Sequence, residues 1–180
     1  SMSKHVEDGT AKLLLIGPSG AHKTPIADFI SEFTDSLRGG AEPTVGVRIL
    51  EFSRDGLSVE LWDVSGDAKF ESGWTAIQDE AVGVVMVFDG DNKEHEEGMV
   101  RWYNHFVKGC GIPDDRCLLL CHTSGIQPPR PPISDDLRGV KMVSTSSEAP
   151  ANIRREFDGF LASAIAPAVR AGGRKQLQRY

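Results

Sequence analysis

The chain predicts an α/β fold with a six-stranded, mostly parallel sheet flanked by helices, and three observations point there. Short apolar runs alternate with helix-period patterns along most of the length. The first run leads straight into a glycine-rich turn followed by a helical pattern. Two neighbouring runs are joined by Ser53-Arg54-Asp55-Gly56, a hairpin signal that makes one edge of the sheet antiparallel.

Strands are expected at residues 12–17, 47–52, 58–63, 83–88, 116–121 and 141–143. The first, "KLLLI", carries consecutive apolar side chains, as a strand buried on both faces must. Helices are expected at 23–33, 71–80, 95–107 and 151–169. In the last, Ile153, Phe157, Phe160, Leu161, Ala164 and Ile165 fall on one face at helical spacing. Residues 1–11 are polar and read as a disordered lead-in. Residues 170–180 hold four basic residues and no acid, and read as a frayed, solvated basic tail. Between 122 and 139 the alternation breaks at Pro128, Pro129, Pro131 and Pro132, which no regular helix accommodates. That segment reads either as a stiff surface loop or as a ligand for an SH3-type domain.

Bulk properties narrow the function classes. A length of 180 residues suits one buried core, here expected over 12–169. A formal net charge of −6 offers no basic excess for phosphate backbones, so nucleic acid is not the expected partner. Three cysteines, Cys110, Cys117 and Cys121, do not make a disulfide framework and suit a reducing compartment. No run reaches the roughly 18 apolar residues of a spanning helix, and the final "KQLQRY" has no cysteine for prenylation. No direct membrane anchor is therefore expected.

The glycine-rich turn reads Gly17-Pro18-Ser19-Gly20-Ala21-His22-Lys23-Thr24 and meets the phosphate-loop pattern except at His22. Such a loop points backbone N–H groups at phosphate oxygens where a helix begins. Lys23 would meet the terminal phosphates and the Thr24 hydroxyl a magnesium ion. At the start of a helix His22 is expected to take a negative φ, leaving its N–H usable while its ring crowds the ligand and weakens binding. Pro25 falls in the first helical turn, where a missing donor costs little. The plainer reading is a strand–turn–helix that merely carries glycine and lysine. Downstream, a strand ending in Asp63 followed by Gly66 supplies a metal-linked carboxylate and a backbone able to approach a third phosphate. Thr44, before another strand, stands where it can cap the metal.

With these parts in order, the chain resembles Ras-superfamily small GTPases of the Rab-like kind, a P-loop G domain. More narrowly it is similar to the Rab-like subunit of intraflagellar transport complex B. The strings that carry this are "PTVGVRILEF", "ELWDVSGDAKFESGW", "GVVMVFDGD", "WYNHFV" and "IPDDRCLLLCH". The resemblance implies GTP or GDP with Mg²⁺ bound through Gly17, Ser19, Gly20, Ala21, His22, Lys23, Thr24, Thr44 and Gly66, the metal by Thr24, Thr44 and Asp63. It also implies a place in ciliary or flagellar transport and the cytoplasm. The implied partners are the two long coiled-coil subunits of complex B, the chain being a monomer by itself. Trp74 and Phe70 are the expected contact surface, although Phe70 could instead pack beneath the neighbouring helix.

Two further departures stand beside His22. Asp67 occupies the place where hydrolytic members carry a water-orienting glutamine, so hydrolysis is expected well below the roughly 10⁻⁴ s⁻¹ of an unaided Ras-type site. Where the Asn-Lys-x-Asp base motif belongs, the chain reads His122-Thr123-Ser124-Gly125, which removes the charge-assisted contact to guanine. "STSS" at 144–147, chiefly Ser146, stands in for the last base loop. His122 reads either as a base contact or as a loop histidine without a ligand. A zinc set of Cys117, Cys121, His122 and His105 is disfavoured, because the two cysteines alternate within an apolar strand. The readings left open are a nucleotide-binding interaction subunit, a nucleotide-independent pseudo-GTPase scaffold, and a cycling GTPase that needs a partner's help.

Overall fold

The computed structural model describes residues 9–31, 46–126 and 134–177. Its strands are β1 (Thr10–Ile16), β2 (Val47–Arg54), β3 (Leu57–Val64), β4 (Gly83–Asp89), β5 (Cys117–Thr123) and β6 (Lys141–Ser146). They form one six-stranded sheet in the order β2-β3-β1-β4-β5-β6. Only β2 and β3 pair antiparallel, across a two-residue turn in which Asp55 and Gly56 both have positive φ, 53° and 81°. That conformation matches the twist of the flanking strands, and an Asp-Gly pair favours it.

Alternating side chains send the sheet into two cores. Leu13 and Leu15 of β1 face one side, with Ile26 and Phe29 of α1 (Lys23–Ile30) and Ile153, Phe157 and Phe160 of the last helix. Leu14 and Ile16 face the other, with Trp74 of α2 (Trp74–Gln78) and Met99, Trp102 and Tyr103 of α3 (Lys93–Tyr103). Burial on both faces is why β1, β4 and β5 read as continuous apolar runs. The parallel registers pair Leu15 with Asp63, Ile16 with Met86, Asp89 with His122 and Thr123 with Ser146. The carboxyl ends of five strands thus share one edge of the sheet, the usual place for a ligand in an open α/β fold.

The elements differ from expectation at their ends. The helix expected at 23–33 stops at Ile30, where the Ser31 hydroxyl donates back to the Ala27 and Asp28 carbonyls at 2.9 and 3.1 Å. Instead of a helix over 71–80, a tight 3₁₀ segment, Ala68–Gly73, precedes the short α2. Ser72 and Gly73, poor helix formers, sit where a regular helix would have begun. Trp74, expected on the contact surface, is 3% exposed and packs in tilted arrangements against Trp102 and Phe106 at centroid distances of 4.5 and 4.9 Å. It is a core residue. Phe70 is half-buried, with the Lys69 ammonium over its ring.

Strand β1 begins at Thr10, and Ala11 is buried, so the ordered domain starts inside the segment read as disordered. At the other end α4 (Pro150–Phe160), a wider π turn at Leu161–Ile165 and α5 (Ala166–Leu177) run on as one helical stretch. Residues 170–177 are therefore helical rather than a frayed tail, and 178–180 lie outside the described residues. So do the four prolines of the 122–139 segment, whose flanks are β5 and a short turn at Asp135–Leu137 that buries Leu137.

Candidate functional site

The phosphate loop leaves β1 at Gly17, whose φ of 146° and contact with β4 exclude a side chain: a Cβ there would stand 1.9 Å from the Val87 carbonyl oxygen. Gly20 follows with φ 79° and Ala21 is fully buried, while Ser19 is exposed at the tip. His22 does not take the negative φ expected of it. Its φ is 67° and ψ 25°, the left-handed conformation that explains why the motif has glycine here. For a non-glycine residue that conformation costs about 1–2 kcal/mol. The ring turns towards Asp89 and His122: Nε2 is 3.8 Å from Asp89 Oδ2, and the two imidazole centroids are 5.2 Å apart in an edge-on arrangement.

Lys23 opens α1 and is only 6% exposed. Its Nζ donates to the carbonyls of Gly17 at 2.6 Å and Pro18 at 2.8 Å. Burial pushes its pKa down to about 8, with Asp63 pulling the other way. The Thr24 hydroxyl donates to Asp63 Oδ2 at 3.1 Å, which brings the two sequence-predicted metal residues together at the end of β3. Asp63 is fully buried. Gly66 lies against the phosphate loop so closely that a Cβ would meet Ser19 N at 2.2 Å and Gly17 O at 2.6 Å. The loop after β3 is thereby seated on the loop after β1. Thr44 lies outside the described residues.

These residues suit a magnesium nucleotide on their own chemistry. A hydroxyl and a carboxylate in contact are hard oxygen donors of the kind magnesium takes, a buried ammonium stands beside them, and Gly66 keeps a backbone cradle that any side chain would fill. Asp67 has a different employment. Its carboxylate accepts from Lys69 N at 3.0 Å and pairs with the Lys69 ammonium, and its own N–H donates to Ser65 Oγ at 3.2 Å. It caps its own turn rather than reaching over the loop.

Comparison with known proteins fits this geometry. The model of the Roc domain, "Ras of Complex", of DAPkinase matches residues 12–124. An intraflagellar transport protein 22 homolog of Danio rerio is 39% identical over 163 residues, covering 83% of this chain and 87% of that protein. The human homolog is also 39% identical, with coverages of 86% and 90%. The chain belongs to the intraflagellar transport protein 22 family. Among solved structures, the GTP-bound Trypanosoma brucei complex of intraflagellar transport proteins 22, 74 and 81 matches with a TM-score of 0.75 at 29% identity, covering 91% of this chain and 99% of that one. The GDP-bound intraflagellar transport protein 22 of the same organism matches with a TM-score of 0.69 at 27% identity, with coverages of 89% and 99%.

In this member of the intraflagellar transport protein 22 family the base-side loops are closed on themselves. His122 is fully buried, with Nδ1 2.9 Å from Thr145 Oγ1 and Nε2 3.0 Å from Ser147 Oγ. The ring ties β5 to β6 and to the residue that follows it, so His122 is a buried, hydrogen-bonded side chain and not an idle loop residue. Thr123 donates its hydroxyl to Asp91, Ser146 donates to the Gly125 carbonyl, and Ser147 N donates to Thr123 O at 3.0 Å. Cys117 and Cys121 point into the α3-side core, and no metal-holding group of His, Cys, Asp and Glu exists among the described residues.

Burial lowers the His122 pKa to about 4, the neighbouring His22 adding to the effect and Asp89 opposing it. An unfolded histidine titrates near 6.5, so between about 6.5 and 4 the unfolded chain binds a proton that the folded one refuses. Stability is lost as pH falls through that window, by about 2 kcal/mol at pH 4.5 for a shift of this size. Urea unfolding at pH 7 and 4.5 should show a smaller loss in His122→Asn than in the parent.

Sequence reasoning missed two residues of the site. Arg48 on β2 donates from Nη1 to Asp28 Oδ1 at 2.7 Å and from Nη2 to Asp63 Oδ2 at 3.4 Å and the Thr24 carbonyl at 3.3 Å. A guanidinium thus compensates the buried carboxylate. His95 on α3 accepts from Asp89 N at 3.2 Å and bonds the Ser19 backbone, which fixes the helix start to the phosphate loop. The only signal for Arg48 was a charge inside the apolar string "GVRILEF"; His95 had none.

Proposed function

We propose that this chain is a guanine-nucleotide-binding subunit of intraflagellar transport complex B. It holds GTP or GDP with magnesium, hydrolyses slowly, and presents a nucleotide-dependent surface to two coiled-coil subunits of the same complex. One observation carries the reading: a buried Lys23 ammonium held by loop carbonyls, beside a Thr24–Asp63 pair in hydrogen-bond contact. Keeping an ammonium and a carboxylate out of water is costly, and a purely structural domain has no need of both at a glycine-cradled turn. The GTP-bound assembly of the trypanosome relative with intraflagellar transport proteins 74 and 81 supports the choice of partners. The intraflagellar transport relatives support a role in ciliary or flagellar transport, and a cytoplasmic pool is proposed beside it.

Magnesium would be held by the Thr24 hydroxyl and the Asp63 carboxylate, with Thr44 as the third candidate, and would neutralise charge on the triphosphate. Lys23 positions the terminal phosphates, and the Gly66 backbone reports whether the last one is there. With Asp67 engaged by its own turn, no side chain among the described residues stands ready to orient water, which supports slow hydrolysis. Base-side loops closed on themselves favour a second reading, the nucleotide-independent scaffold.

Chromatography of the small molecule released from freshly purified, denatured protein tests the choice. Guanine nucleotide near one equivalent is the expected result, and an empty protein favours the scaffold. Thr24→Asn should release nucleotide at least about tenfold faster and weaken capture of the coiled-coil pair, since it removes the hydroxyl that meets the metal.

A further inference from the structure

His22 looks at first like damage to the phosphate loop, since it costs backbone strain and places a ring beside a ligand site. Its surroundings point elsewhere. The imidazole is largely enclosed, its side chain 19% exposed, and it lies between Asp89 at the end of β4 and His122 at the end of β5. His122 in turn binds Thr145 and Ser147 through its two ring nitrogens, and its carbonyl accepts from Gly90 N at 2.8 Å. One run of contacts therefore leads from residue 22 of the phosphate loop to the segment after β6, through two adjoining rings.

We propose that His22 and His122 form a single positioning unit that locks the phosphate loop to the base-side loops, so that His22 supports nucleotide retention instead of obstructing it. The inference rests on the nucleotide-binding reading above and deepens it. A loop lacking the charge-assisted base contact needs another way to keep its phosphate and base halves in register. A glycine at position 22 would relax the backbone but leave the loop without a side chain reaching β4 and β5. The histidine accepts left-handed strain and gains an edge-on aromatic contact plus proximity to a carboxylate. Removing either ring should then cost binding, and removing both should cost little more than removing one.

A double-mutant cycle decides this. The four proteins are the parent, His22→Gly, His122→Asn and the double variant; asparagine keeps an amide for Thr145 or Ser147 but cannot reach the His22 ring. Two quantities are read on each: the dissociation constant for N-methylanthraniloyl-GDP with magnesium, and the thermal midpoint of nucleotide-stripped protein. In the parent background His22→Gly should weaken binding about three- to tenfold, the range expected for an aromatic pair. In the His122→Asn background the same change should be neutral or favourable, leaving only the relief of strain.

Tighter binding by His22→Gly than by the parent overturns the proposal. So does an equal effect in both backgrounds. Coupling in the thermal midpoints without coupling in the dissociation constants also overturns it, because the pair is then merely structural. A parent that binds no labelled nucleotide overturns the nucleotide reading instead; coupled midpoints would still uphold the lock between the loops, and additive ones would remove it too.

Discussion

Gly17→Ala should destabilise the protein by at least about 3 kcal/mol, which for a chain of this size lowers the thermal midpoint by roughly 6–12 °C. Two independent penalties add. An alanine Cβ at this position would stand 1.9 Å from the Val87 carbonyl oxygen and 3.0 Å from the Val87 carbonyl carbon. Val87 is a central residue of β4, buried in the core and flanked by paired strands, so it cannot step aside without opening the sheet. The φ of 146° is also one that a residue with a Cβ rarely adopts. Gly66→Ala makes the useful contrast. Its Cβ would collide with Ser19 N, Pro18 C and Gly17 O, which belong to the phosphate loop and not to a strand of the sheet. The expected result there is a smaller loss in midpoint together with loss of nucleotide. Thermal unfolding of both variants, with and without GDP and magnesium, separates the two; a Gly17→Ala protein that melts with the parent would refute the packing argument.

The fold was legible where burial on two faces writes a continuous apolar run, as in "KLLLI" and "RCLLLCH", and where Asp55-Gly56 supplied turn chemistry of one kind. Candidate residues on the phosphate loop could be picked out because that loop is local: its parts lie within eight positions and their order suggests the chemistry. What escaped notice was long-range or conformational. Arg48 meets Asp28 and Asp63, twenty and fifteen positions away, and periodicity records which face a residue takes but not which charge it finds there. His95 reaches the phosphate loop only because β4 delivers the start of α3 beside it. Trp74 was misplaced for a related reason. Aromatic residues favour interfaces on average, but this one is set by the tight turn before it, which rotates the ring into the core. The sign of φ at His22 had a local clue in the glycine that the motif prefers, since that glycine marks a backbone conformation as well as a lack of bulk.

Lys23→Met should separate holding nucleotide from holding the fold. The ammonium is enclosed by the phosphate loop itself, and exchanging it for an apolar group of similar reach removes a charge-assisted contact to phosphate. Such contacts contribute about 1.5–3 kcal/mol, so GDP affinity should fall about ten- to hundredfold or more. Stability of the nucleotide-free protein should move less, and its pH dependence reveals why. Burial lowers the Lys23 pKa to about 8 from an ordinary 10.5. Below about 8 the folded protein carries the full cost of a buried charge. Between about 8 and 10.5 the folded lysine has given up its proton while the unfolded one keeps it, so the unfolded state binds more protons and stability rises with pH. The methionine variant has nothing to titrate and lacks that rise. Tyr103, raised to about 12, and Cys121, raised to about 11, pull the other way at high pH but are present in both proteins and cancel in the difference. Urea unfolding of stripped parent and variant at pH 7 and 9.5 should therefore show the parent gaining on the variant as pH rises. Equal gains would mean that the ammonium is solvated in the empty loop, and with it would go the physical reason for reading a buried lysine as a phosphate ligand in waiting.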